Sequence, residues 1–146
     1  MAKKTVYTPL GSLVLSEEDG FLTGLDWGAA EEASSPVLEK AADELEAYFN
    51  GRIKKFSKPY NLKGTPFQKK LWQAMSEIPY GKTVSYGWLA EKLNTSARAV
   101  GQACGKNPLP IIVPCHRVLA ANGKLGGYSG GLETKEKLLA LERRFN

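Results

Sequence analysis

Pro114-Cys115-His116-Arg117-Val118 sets a thiol beside the only histidine in a chain of 146 residues. A thiol becomes a useful nucleophile as its thiolate, and a neighbouring base or positive charge promotes that form. Arg117 and Asn107 are near in sequence. A disulfide half or an inert core cysteine needs none of these neighbours, but a Cys-His adjacency taken alone is weak grounds for reactivity. On an extended strand, adjacent side chains point to opposite faces. Cys115 and His116 could therefore form a direct dyad only at a bend, and a water-mediated link is easier to build. Glu142 follows Leu138 by four residues and Leu139 by three, at the edge of an apolar helical stripe. It is either a helix-end surface group or, if that helix packs on the active strand, the partner of His116. One histidine and two cysteines make a zinc site a poor fit, because structural zinc usually takes four such ligands. No metal is expected.

These residues need elements to hold them. Thr5 onward alternates like a strand, and Ser12-Leu13-Val14-Leu15 and Phe21 to Trp27 read as strands around a Glu18-Asp19-Gly20 hairpin. Ser35-Pro36 opens a helix that carries Leu38, Ala41, Ala42, Leu45, Tyr48 and Phe49 at helical spacing and ends at Asn50-Gly51. Residues 52–64 read as an edge strand and linker. From Thr65 the pattern is helical, with Phe67, Leu71, Trp72, Met75 and Ile78 on one stripe that Pro79-Tyr80-Gly81 breaks. Tyr86 to Leu93 and Ser96 to Gly105 form two short helices across Asn94-Thr95, a helix-turn-helix pattern. In the second of these, Ala97, Val100 and Cys104 share a face that could meet the core, and Arg98, Gln102 and Gly105 share another. A glycine inside a helix costs about 1 kcal/mol relative to alanine. Gly101 therefore implies a close approach to the backbone, by a neighbouring helix or by an external ligand. Ile111-Ile112-Val113 reads as a buried strand ending at Pro114-Cys115. Gly126 to Gly131 is a glycine-rich loop without the Walker lysine pattern. A last helix is expected from about Glu133 to Arg144.

Composition narrows the function classes. Residues 1–62 hold seven Lys/Arg and ten Asp/Glu, whereas residues 63–146 hold thirteen and five. The half with Cys115 thus carries a net charge of +8, which fits either a solvated basic surface or a face for a polyanion. No apolar run is long enough to span a membrane, and the N-terminus offers no signal-peptide core. Two cysteines fit a reducing compartment, so a cytoplasmic or nucleoid location is expected. A sequence-specific helix-turn-helix regulator is disfavoured because the Ala/Gly-rich helix lacks the several side chains such readers use.

The motifs Thr65-Pro66-Phe67, Ile78-Pro79-Tyr80-Gly81, Val84-Ser85-Tyr86, Arg98-Ala99-Val100-Gly101, Asn107-Pro108, Pro114 to Val118, Gly127 to Leu132 and Leu138 to Glu142 occur in this order. Through them the chain resembles the O6-alkylguanine-DNA alkyltransferases, the methylated-DNA–protein-cysteine methyltransferases. The N-terminal third is only loosely similar, although Pro9 to Leu13 fits the usual opening, and the zinc ligands of some relatives are absent. The resemblance implies an α/β (α+β) fold with a small antiparallel-sheet lobe over 1–62. Residues 63–146 would form a helical lobe with a winged-helix-like helix-turn-helix and an active-site strand. It implies irreversible transfer of an alkyl group from O6-alkylguanine in DNA to Cys115, once per molecule and without a cofactor. His116 would relay the thiol proton through a water, Glu142 would hold His116, Asn107 would brace the turn, and Tyr86 would donate a proton toward the base. Arg98 would fill the stack vacated by the flipped lesion, with Ala99, Gly101 and Gln68 also facing DNA on its minor-groove side. Val118, Tyr128, Ser129 and Lys135 would line the lesion pocket. A monomer acting on double-stranded DNA, with no membrane partner, is implied. On this reading Glu142→Gln slows transfer while leaving the fold largely intact. Alkyltransferase-like proteins that bind lesions without accepting the alkyl group usually carry tryptophan in place of the nucleophile, and Cys115 argues against that class.

Overall fold

The computed structural model describes residues 2–30, 33–57, 60–128 and 131–146. The chain divides into two compact units, residues 1–63 and 64–146.

In the first unit, β1 (Ala2–Thr8), β2 (Gly11–Glu18) and β3 (Phe21–Trp27) form an antiparallel meander. Asp19 and Gly20 both take positive φ, 55° and 84°, as the two-residue hairpin turn between β2 and β3 requires. The register sets Leu15 opposite Leu25 and Leu13 opposite Trp27, which keeps the fully buried Leu13 and Leu15 on one face. α1 (Pro36–Phe49) is capped by the Ser35 side chain on the Leu38 amide and buries Leu38, Leu45 and Tyr48.

The edge strand expected over 52–64 does not form among the described residues. Tyr60 makes a single isolated bridge with Leu22. The preceding stretch is anchored to α1 instead. The Ser57 amide and hydroxyl bind the Glu44 carboxylate, and the Phe56 ring packs 5.3 Å from that of Tyr48. The bond to Glu44 takes the Ser57 amide, a donor that a sheet ladder would need.

The second unit begins with α2 (Pro66–Ser76), whose Thr65–Gln68 capping box satisfies both amides. β4 (Val84–Ser85) leads into α3 (Tyr86–Leu93), and α4 (Ala97–Gly105) follows a left-handed Asn94. Trp72 donates its indole N–H to the Ala103 carbonyl at 3.0 Å, fixing α2 against α4. β5 (Val118–Leu119) pairs in parallel with β4, and α5 (Leu132–Phe145) closes the unit. Leu71, Met75, Leu89, Val100, Leu109 and Leu138 form its core. Val100, Ala103 and Cys104 are the buried residues of α4. Ala97, expected on that face, is exposed because it lies in the first turn, beyond the reach of the core.

The expected strand at Ile111–Val113 is also absent. Pro110 and Val113 make only an isolated bridge, and the Val113 amide turns back to the Leu109 carbonyl at 2.9 Å. The cause is Asn107: its Oδ1 accepts from the Leu109 amide and its Nδ2 donates to the Val113 carbonyl, closing a compact buried loop. Ile111 is held there at φ 75°, a costly conformation for a β-branched residue.

Candidate active site

Asn107 thus does locally what a strand would have done, and gives the chain after Pro114 a rigid support. Cys115 opens a 3-10 turn, Cys115–Arg117, in which all three side chains are buried. The parallel pairs Val84–Val118 and Ser85–Leu119 set this turn beside the start of α3, where Tyr86 stands. Burial pushes the Cys115 thiol up, while the Asn107 amide and the positive charge of Lys135 pull it back. The resting sulfur is therefore a protonated thiol.

His116 is completely buried. Its Nε2 lies 2.6 Å from Glu142 Oε2, and its Nδ1 is buried with no protein partner. Cys115 and His116 thus share no direct hydrogen bond. Burial lowers the His116 pKa and outweighs the opposing pull of Glu142. Glu142 sits on α5, 1% exposed, and its carboxyl is held well below the usual carboxylate range. Burial opposes that shift, and the bonds from His116 and Arg117 overcome it.

Lys135, also fully buried on α5, donates to the Val118 carbonyl at 2.7 Å and the Gly127 carbonyl at 3.2 Å. It thereby ties the glycine-rich segment to β5 and lies 5.9 Å from the Tyr86 ring centre. The Tyr86 phenol is raised by burial and by the two cysteines, so it stays protonated. Gly126 takes φ 71°, and a Cβ there would lie 2.9 Å from the Tyr86 hydroxyl. Glycine is required twice over at that position. The Tyr128 hydroxyl is buried without a partner, and burial raises its pKa well above the ordinary value. Ser129 lies outside the described residues.

A surface groove of about 560 Å³ runs between α2 and α4, lined by Gln68, Ala99, Gly101, Gln102 and Gly105 among others. Cβ atoms added at Gly101 or Gly105 would meet nothing within 4 Å. Tight helix–helix packing therefore does not account for these glycines, and their faces are open to an external ligand. Arg98 is exposed on the same helix. Gln68 lines the groove while its side-chain oxygen caps α2.

Residues 66–144 match the 6-O-methylguanine DNA methyltransferase DNA-binding domain, and residues 1–62 match the ribonuclease-like domain of the same proteins. The chain belongs to the 6-O-methylguanine DNA methyltransferase family. Among its relatives, the methylated-DNA–protein-cysteine methyltransferase of Mycolicibacterium paratuberculosis is 44% identical over 97% of this chain and 92% of its own length. The constitutive enzyme of that name from Bacillus subtilis is 44% identical over 95% and 93%. The crystal structure of Mycobacterium tuberculosis OGT in complex with DNA superposes with a TM-score of 0.91 at 41% identity, covering 99% of this chain and 94% of that one. The mixed fold, a three-stranded antiparallel sheet followed by a helical unit, is that of this methyltransferase family.

Cys115, Asn107, Lys135 and Tyr86 form one cluster, and His116 with Glu142 a second, joined to the first through the Cys115–His116 peptide. Arg98, Ala99, Gly101 and Gln68 belong to the α2–α4 surface instead. Val118 is buried in β5, with its carbonyl bound by Lys135. The sequence offers Arg117 only as a positive charge near Cys115, whereas it binds both oxygens of Glu142 at 2.9 Å. It also offers the Ile78–Gly81 break only as a helix end, yet the Ile78 carbonyl and Gly81 amide bind Arg117 and Glu142. The available signal was a charged residue within an otherwise apolar run before Val118-Leu119. Cys104 is buried against Met75, with its thiol pushed up to about 12 chiefly by burial. Among the described residues, no cluster of metal-binding side chains occurs and no helix is long and apolar enough to cross a membrane.

Proposed function

We propose that this protein is a methylated-DNA–protein-cysteine methyltransferase, which repairs O6-alkylguanine in DNA by taking the alkyl group onto Cys115. The observation that carries this reading is a buried, protonated thiol beside a neutral imidazole with one nitrogen fixed on Glu142 and the other unpartnered. This set can release a nucleophile on demand. The thiol proton passes by way of a water to His116 Nδ1, and Lys135 and the Asn107 amide stabilise the thiolate. The sulfur attacks the alkyl carbon in line. A carbon–sulfur bond forms, the carbon–O6 bond breaks, and its electron pair goes to guanine. Tyr86, a phenol at rest, supplies a proton to the departing base and regains one as His116 returns to neutrality, so charge is conserved overall.

O6 inside a duplex is out of reach of a buried sulfur, so the nucleotide must be flipped. An α-helix is about 10–12 Å wide and an undistorted minor groove about 6 Å. The open Ala99–Gly101 face of α4 reduces that mismatch, and Arg98 occupies the space the base leaves. Binding through backbone shape and charge suits a protein that acts in any sequence context, as a monomer. Tyr128, whose hydroxyl is buried, lines the pocket for the base. The thioether is not cleaved by water, so each molecule reacts once.

Intact-protein mass spectrometry after exposure to duplex DNA containing O6-methylguanine tests this. One methyl group should appear, mapped to Cys115, and Cys115→Ser should bind DNA and accept none. Multiple turnover, or a methyl group on Cys104, would sink the mechanism.

A further inference from the structure

We propose that Arg117 is a positioning residue for alkyl transfer: by occupying both oxygens of Glu142, it keeps His116 a neutral proton acceptor rather than half of an imidazolium–carboxylate pair. This rests on the function proposed above and extends it to a residue outside the thiol–imidazole–carboxylate relay.

The geometry is a saturated carboxylate. Glu142 Oε1 accepts from Arg117 Nε at 2.9 Å and from the Gly81 amide at 3.1 Å. Oε2 accepts from Arg117 Nη2 at 2.9 Å and is shared with His116 Nε2 at 2.6 Å. Arg117 Nη1 donates to the Ile78 carbonyl at 2.7 Å, so the guanidinium plane is fixed from a third direction. A buried carboxylate facing only an imidazole would draw a proton onto it, because a charged pair is favoured over a lone buried anion. Here the permanent guanidinium charge already balances the anion. The other groups facing this pair act in the same direction or weakly. Lys135 of α5 disfavours a second positive charge at His116, Tyr80 stacks on the guanidinium at 5.6 Å, and the Cys115 thiol is uncharged at rest. An imidazolium could take no proton from Cys115, so the clamp and the chemistry are linked.

His116 is the only histidine, so its ring protons can be followed without assignment ambiguity. The test is proton NMR of His116 against pH in the unreacted wild-type protein and in Arg117→Met and Arg117→Lys. It is paired with the pH profile of the single-turnover rate on free O6-benzylguanine. In Arg117→Met the His116 midpoint should rise by about one pH unit or more, and the acid limb of the rate profile should move up with it, about tenfold in rate per unit. Arg117→Lys keeps a charge but not the two-pronged fork, so it should give a smaller rise in the same direction. Should the methionine variant fail to fold, the lysine variant carries the test alone. An unchanged or lowered midpoint overturns the proposal, as does a shifted midpoint with an unshifted rate profile. If wild-type protein transfers no alkyl group, the functional reading fails by itself while the titration still reads the clamp.

Discussion

Glu142→Gln isolates the buried charge that both the fold and the site depend on. The carboxylate accepts four hydrogen bonds, from His116, the Gly81 amide and two guanidinium N–H groups of Arg117. A carboxamide has nearly the same shape but only one acceptor oxygen. In the Oε1 position its NH₂ meets two donors, and in the Oε2 position it meets Arg117 Nη2, while His116 can accept from it only by switching tautomer. One or two charge-assisted bonds are lost, each worth about 1.5–3 kcal/mol, and Arg117 is left buried without a counter-ion. Breaking a buried pair in this way costs about 3–5 kcal/mol. For a protein of this size that lowers Tm by about 6–20 °C. The sequence-based expectation of a largely intact fold is thus replaced by marked destabilisation. The pH dependence follows from the sign of the shift. The folded pKa of Glu142 is depressed, so its contribution is fully present above the unfolded value of about 4.3 and is lost as pH falls below it. Thermal unfolding of wild type and Glu142→Gln at neutral pH should show the full gap, and the gap should narrow below about pH 4. A Tm within about 2 °C of wild type at neutral pH would refute the reasoning. On folded material, single-turnover rates for Glu142→Gln, His116→Ala and the double variant should fall together without multiplying, as expected of coupled groups.

Three further outcomes can be checked directly. Gly101→Ala should stabilise the protein by up to about 1 kcal/mol in thermal unfolding, since its added methyl meets nothing, while weakening duplex binding in a fluorescence titration; unchanged DNA affinity would remove α4 from the interface. Arg98→Ala should slow repair of duplex DNA far more than reaction with free O6-benzylguanine, because only the duplex requires flipping, and equal losses would exclude that role. Gly126→Ala should strain a φ of 71° and push on the Tyr86 hydroxyl, lowering the single-turnover rate on both substrates; a wild-type rate would show that Tyr86 placement is unimportant.

Much of this protein was legible in its sequence because local signals dominate there. Serine caps and prolines marked the helices, with α3 falling on Tyr86–Leu93 as its pattern predicts. The Asp-Gly hairpin fixed the β2–β3 register, and the rarity of histidine singled out the turn with Cys115. The failures have a common cause. Ile111-Ile112-Val113 has strand composition, but the Asn107 side chain captures the backbone groups that a strand would use. The Ser57 amide is taken in the same way by Glu44. Side-chain-to-backbone bonds of this kind depend on where a polar group lands in space, which periodicity does not encode. The charge state of the site was equally hidden. Sequence alone sets Cys115, His116 and Arg117 side by side, but burial decides that the thiol and imidazole rest neutral. Only the packing of α5 brings Glu142, separated from His116 by 26 positions, between His116 and Arg117. Desolvation and long-range pairing are properties of the assembled core, so the tertiary structure decided how those residues share their protons.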